Sequence, residues 1–224
     1  MRGLLMCGVV MATVMAAPSV VADATADRAA DRALDRVVRD LIERPEICGP
    51  GGTQDAGAAV ADMVMVDGFG TGGFAIATAS PEAQAWFNHG VRLRWAFEHG
   101  EAVRAFRKAR MLDPDCAMCA WGEAWAMGPN LNGGGGGEET RLAALKTARE
   151  ARRLARRATP VQRQMIDALV QRYSGGETSR AARFATAMDR IARRHPDDVA
   201  LAAITADAWM MKADHWWDDE GKAA

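Results

Sequence analysis

The chain has one tyrosine among its 224 residues, four cysteines, four histidines and a formal net charge of -1. Each scarcity removes a class of chemistry. Near-neutral charge leaves no electrostatic footprint for a phosphate backbone, so nucleic acid is not an expected partner. His89, His99, His195 and His215 show no metal-ligand spacing among themselves and read as surface or hairpin-packing residues. The serines lie in loops, at helix starts or in the first apolar segment, and no Ser/His/Asp set can be assembled from them. Glu123 and Asp207 fall on helices, but no paired carboxylate stands out. The glycine run Gly133 to Gly137 ends in Glu138-Glu139, whereas a phosphate loop needs a strand before it and Gly-Lys-Ser/Thr after it. Ala120 stands after Cys119 where covalent haem attachment requires histidine. We therefore expect no enzyme and no cofactor. With 49% hydrophobic and 25% charged residues, what is present is ordinary globular material, long enough for one core or a short solenoid.

Residues 1–22 read as a secretory signal peptide. A short basic start (Met1-Arg2) leads into the apolar run Leu4 to Ala17, and Val20-Val21-Ala22 offers a small-residue cleavage site. The run is too short for a permanent membrane span. The expected location is periplasmic or secreted, with no membrane association beyond export and with thiols in an oxidising compartment. Over residues 23–45, Leu34, Val37, Val38, Leu41 and Ile42 make an apolar stripe at helical spacing, and Pro45 ends that helix. Residues 46–80 form a Gly-rich connector, expected as an irregular lead-in lying against the helices that follow.

From residue 81 to 220 the pattern is all-α. Trp86, Gly90, Ala102, Phe106, Ala109 and Pro114 stand at intervals of 4, 12, 4, 3 and 5. Small residues at 90, 102 and 109 let two helices approach, and Trp86 and Phe106 fill the space between them. A second unit starts at Asp115, is stopped by Gly128-Pro129, and resumes over Glu138 to Arg157. Thr159-Pro160 opens another helix, Ser179 to Arg194 follows, and Asp198 opens a last one.

This ladder resembles the tetratricopeptide repeat, a helix–turn–helix unit of about 34 residues. The segments Ser80 to Gly90 (SPEAQAWFNHG) and Asp113 to Asn132 (DPDCAMCAWGEAWAMGPNLN) are similar to a group of exported bacterial multi-repeat proteins with a DPxCAMCxWG junction and a GPNxN loop. The resemblance implies helical hairpins stacked as a short right-handed solenoid behind the Gly-rich lead-in. It also implies a non-enzymatic scaffold that takes a protein or peptide partner on a concave side lined by first helices. Carried onto this chain, those positions are Gln84, Phe87, Val91, Arg94 and Trp95, then Met118, Trp121 and Trp125. The same rings equally suit inter-repeat core. The last helix ends in Trp209, Met210, Met211, Trp216 and Trp217 with nothing after it, so further repeats or another subunit are expected to cover it.

Cys7 lies in the signal segment, leaving Cys48, Cys116 and Cys119. Cys116 and Cys119 stand three apart at a helix start, with Asp115 expected as its cap, so both sulfurs face one side. Three readings follow: a structural disulfide, within the pair or from Cys48; a metal site on Cys116 and Cys119; or free or redox-active thiols. The metal reading makes the protein a periplasmic metal- or cofactor-binding protein instead of a scaffold.

Overall fold

The computed structural model describes residues 58–131 and 137–212. The expected signal peptide (1–22), the helix over 23–45, Cys48, His215 and the Trp216-Trp217 pair lie outside the described residues. Among the described residues there is no strand. Helices α1 (Ala58–Ala61), α2 (Pro81–Trp95), α3 (His99–Leu112), α4 (Ala117–Met127), α5 (Glu138–Leu154), α6 (Pro160–Tyr173), α7 (Glu177–Ala192) and α8 (Val199–Met210) account for the regular structure, with a 3₁₀ turn at Ala155–Arg157. The fold is all-helical. From α2 to α8 each helix packs on its neighbour in sequence, and α4 also touches α2 and α6. No described helix is long and apolar enough to cross a membrane.

Local chemistry sets the helix ends. Ser80 caps α2 by accepting from the Ala83 amide at 3.1 Å, with Pro81 in the first turn, where its missing N–H costs nothing. Thr159 and Gln162 form a reciprocal capping box on α6, again followed by proline at the first helical position. Asp198 caps α8 through the Leu201 amide at 3.0 Å. The cap of α4 differs from expectation: it is Cys116, whose sulfur accepts from the Cys119 amide, and Asp115 lies outside the helix. Between α2 and α3 the chain reverses in three residues. The Glu98 amide donates to Leu93 O and the Phe97 amide to Arg94 O, a Schellman arrangement that puts Phe97 at φ 65° where glycine is usual.

The first three long helices are registered by one ring. Phe106 of α3 is fully buried between Gly90 of α2 and Gly122 of α4. A Cβ at Gly90 would come within 2.8 Å of the ring, and one at Gly122 within 2.4 Å. Around it, Phe87 meets Phe106 edge-on at 5.4 Å, and Ala102, Ala105 and Ala109 keep the α3 backbone close. Glu123 lies behind this contact, buried on α4. Arg107 reaches it at 2.8 Å and Arg110 from the next turn of α3, while Arg110 also pairs with Glu150 of α5 at 2.9 Å.

Residues 62–79 have no regular structure, and Phe69, Gly72, Phe74 and Ile76 contact α2. Met63-Val64-Met65-Val66 is irregular too, with both methionines packed on the core.

Gly122→Ala should destabilise the chain by about 1–3 kcal/mol, because overpacking against Phe106 outweighs the roughly 1 kcal/mol by which alanine favours a helix over glycine. The check is the urea midpoint of Gly122→Ala in the natural chain and in a Phe106→Leu background. With the ring gone, the same substitution should turn neutral or stabilising. An equal loss in both backgrounds would remove the ring from the account.

Candidate functional site

The side chains expected to line a concave surface do converge, but in the interior. Phe87, Val91, Arg94, Met118, Trp121 and Trp125 are all buried. Trp121 and Trp125 stack at 5.2 Å, Trp95 meets Trp125 edge-on at 5.4 Å, and the Arg94 guanidinium lies 4.9 Å over the Trp125 ring. Trp121 Nε1 donates to Met165 O of α6 at 3.2 Å, which ties α4 to α6. These residues therefore form no open aromatic surface. Only Trp95, 38% exposed at the end of α2, keeps a solvent-facing edge.

The reason lies in the lead-in. Phe74 packs edge-on against Phe87 at 5.0 Å and Trp121 at 6.3 Å. Gln84 holds the backbone beside it with both ends of its amide: Oε1 accepts from the Ile76 amide, and Nε2 donates to Phe74 O, each at 2.9 Å. Gln162 of α6 donates to Ala75 O at 3.2 Å. Two glutamines on two helices thus grip three consecutive residues of irregular main chain. Gln84, expected as a partner contact, contacts the chain itself.

Cys116 and Cys119 form a disulfide with both residues buried. In that state neither sulfur is a thiolate, so a metal site there requires the reduced pair. Among the described residues no group of three histidine, cysteine, aspartate or glutamate side chains is arranged to hold a metal ion.

Charge in the interior is where the structure adds most to the sequence. Asp207, alone in the apolar α8, sits 3.5 Å from Arg94 Nη2, and both side chains are only 2% exposed. The contact is an ion pair without a hydrogen bond; both Asp207 oxygens and Arg94 Nε and Nη2 lack hydrogen-bond partners. Burial works against the Arg94 charge and Asp207 supports it. Nearby, Arg172 of α6 is 6% exposed, donates from Nη2 to Pro129 O at 2.8 Å and lies 4.7 Å over the Phe184 ring. Tyr173 donates to Ala124 O at 2.6 Å, and burial pushes its pKa up, so it stays a neutral phenol. His99 opens α3 with neither ring nitrogen partnered. Burial first, and then the Arg94 charge, lower its pKa to about 4.

Arg172 and Tyr173 also line a cavity of about 420 Å³. The rest of its lining includes Met127 at the end of α4 with Gly128 and Pro129 after it, Glu138 and Arg141 of α5, Arg180 and Phe184 of α7, Ala208 of α8 and Met211 just after it. None of these was expected as a site residue. The one visible signal was Asp207, a charge inside an otherwise apolar helix; nothing in the spacing named its partners.

Two outcomes follow. In a Cys7→Ser, Cys48→Ser chain, denatured without reductant, thiol titration should find no free thiol from Cys116 and Cys119 and two after reduction. Reduction should cost about 2 kcal/mol of stability by loop closure. Two thiols titrating before reduction would mean an open pair. Because the folded chain holds His99 neutral, its contribution to stability is complete above the ordinary pKa of 6.5 and falls as pH drops toward about 4. Urea midpoints of His99→Gln should therefore fall less than those of the natural chain over that window, and parallel curves would contradict this. No protein-family profile, curated protein or solved structure matches the chain.

Proposed function

We propose that the protein is an exported, non-catalytic binding scaffold: tetratricopeptide-like hairpins stacked as a short right-handed solenoid that takes an extended protein or peptide segment. On this reading α2–α3, α4–α5 and α6–α7 are three hairpins, and their first helices α2, α4 and α6 form the inner row. The contacts of α4 with both α2 and α6 support that order. The Arg94–Asp207 pair carries the row on to α8.

The observation that carries the reading is the grip of Gln84 and Gln162 on the backbone of Phe74, Ala75 and Ile76. Amide side chains that pair with main-chain groups read an extended segment without fixing its sequence, and an apolar slot beside them selects one side chain. Here Phe74 fills the slot between Phe87 and Trp121. The inner row therefore has the equipment for peptide capture, and the described chain supplies the first occupant.

The test uses the full chain with Phe74→Ala and a fluorescein-labelled peptide of residues 68–79. The variant should bind the peptide saturably and the natural chain at least about tenfold more weakly, since one ring contact with its burial accounts for several kcal/mol. Adding Gln84→Leu to the variant should abolish binding. A folded Phe74→Ala chain that ignores the peptide would sink the proposal.

A further inference from the structure

The interior where Arg94, Arg172 and Asp207 meet holds two cations and one anion. Asp207 stands 3.5 Å from Arg94, and Arg172 lies within electrostatic reach of Arg94. His99 is held neutral by burial, and Tyr173 is an uncharged phenol. Arg172 donates from Nη2 to a backbone carbonyl, and its Nη1 has no hydrogen-bond partner. Buried charges are ordinarily matched by an opposite charge with good hydrogen bonds. Among the described residues, Arg172 has no carboxylate within ion-pair distance.

Arg172 also lines the 420 Å³ cavity. That cavity is much larger than an inorganic anion, and Met127, Phe184, Ala208 and Met211 give it apolar walls. At the rim Arg141 is committed to Glu138 and to the Tyr173 carbonyl. The Glu138 carboxylate is offset there by Arg141 and by Arg180, which also lines the cavity. A buried cation with an unpartnered donor, set against apolar walls, is the complement of an amphipathic anion with a single head group.

We propose that this cavity binds a small organic monocarboxylate, with its head at Arg172 and its apolar part against Phe184 and the two methionines. The site is separate from the peptide grip of Gln84 and Gln162 and does not depend on it. Binding supplies the missing negative charge to the interior and fills the volume between α5, α6, α7 and α8. Arg172 selects for charge, and the walls select for an apolar body.

Calorimetric titration of the full chain with octanoate, octan-1-ol and inorganic phosphate tests this. Octanoate should bind at one site per chain. Octan-1-ol, with the same tail and no charge, should bind at least about tenfold more weakly, the usual worth of a hydrogen bond to a charged group. Phosphate should give no saturable heat over the same range. Arg172→Met should weaken octanoate at least tenfold. Because Arg172 is buried, a second variant guards against simple unfolding: Ala181→Phe sits on the cavity wall at a partly exposed position of α7 and should block octanoate while helicity is retained. Equal binding of octanoate and octan-1-ol, saturable phosphate binding at this site, or octanoate binding unchanged in a folded Ala181→Phe chain would each overturn the proposal.

Discussion

The approach of α2, α3 and α4 depends on one aromatic ring held between two glycines. Phe106 touches the backbones of α2 and α4 because Gly90 and Gly122 offer no side chain there. At that separation the rest of the interior is determined. The α4 ring pair Trp121-Trp125 lands beside Trp95, and the Glu123 carboxylate falls between Arg107 and Arg110 of α3. A wider spacing would leave voids along the row and part the Glu123 clasp. A buried carboxylate without its cations is far more costly than the clasp is stabilising. The clasp therefore works chiefly as a constraint on register: α3 and α4 can be assembled only where both arginines reach.

What was legible in the sequence is what is local. Thr159-Pro160 and Asp198 declared helix starts because a cap and its amide partner lie within three residues. Gly90 and Phe106 stood out because they belong to one hairpin. Gly122, the other half of the same contact, did not, since its partner comes from the preceding helix and leaves no periodic trace. The disulfide was one of three open readings of Cys116 and Cys119, because spacing sets proximity and not oxidation state.

The aromatic stripes show a different limit. Phe87, Val91 and Trp95 recur every four residues, as do Trp121 and Trp125, and that periodicity states only that one side of each helix is covered. It does not state by what. Phe74, Ala75 and Ile76, which provide part of the cover, lie in a stretch whose glycines and lack of period read as a connector. The Arg94–Asp207 pair spans more than a hundred residues. A lone aspartate in an apolar helix signals a buried partner, but only the fold can name it.

The two proposed binding places differ in what an outside ligand must displace. The segment 74–76 is tied to Gln84 by fewer than a dozen residues, so its effective concentration beside Gln84 and Phe87 is in the millimolar range or above. A free peptide offering the same contacts loses that competition. A successful partner must add contacts the lead-in does not make, and the exposed edge of Trp95 beside Trp125 is positioned to provide one. The cavity over Arg172 faces no such competitor among the described residues. A monocarboxylate entering it meets a charge already desolvated by the fold. Occupancy there would also brace α5, α6, α7 and α8 against one another, and α8 in turn holds Asp207 to Arg94 at the end of α2. Among the described residues that ion pair is the direct charge contact between α2 and α8, and any coupling between the two places would run through it.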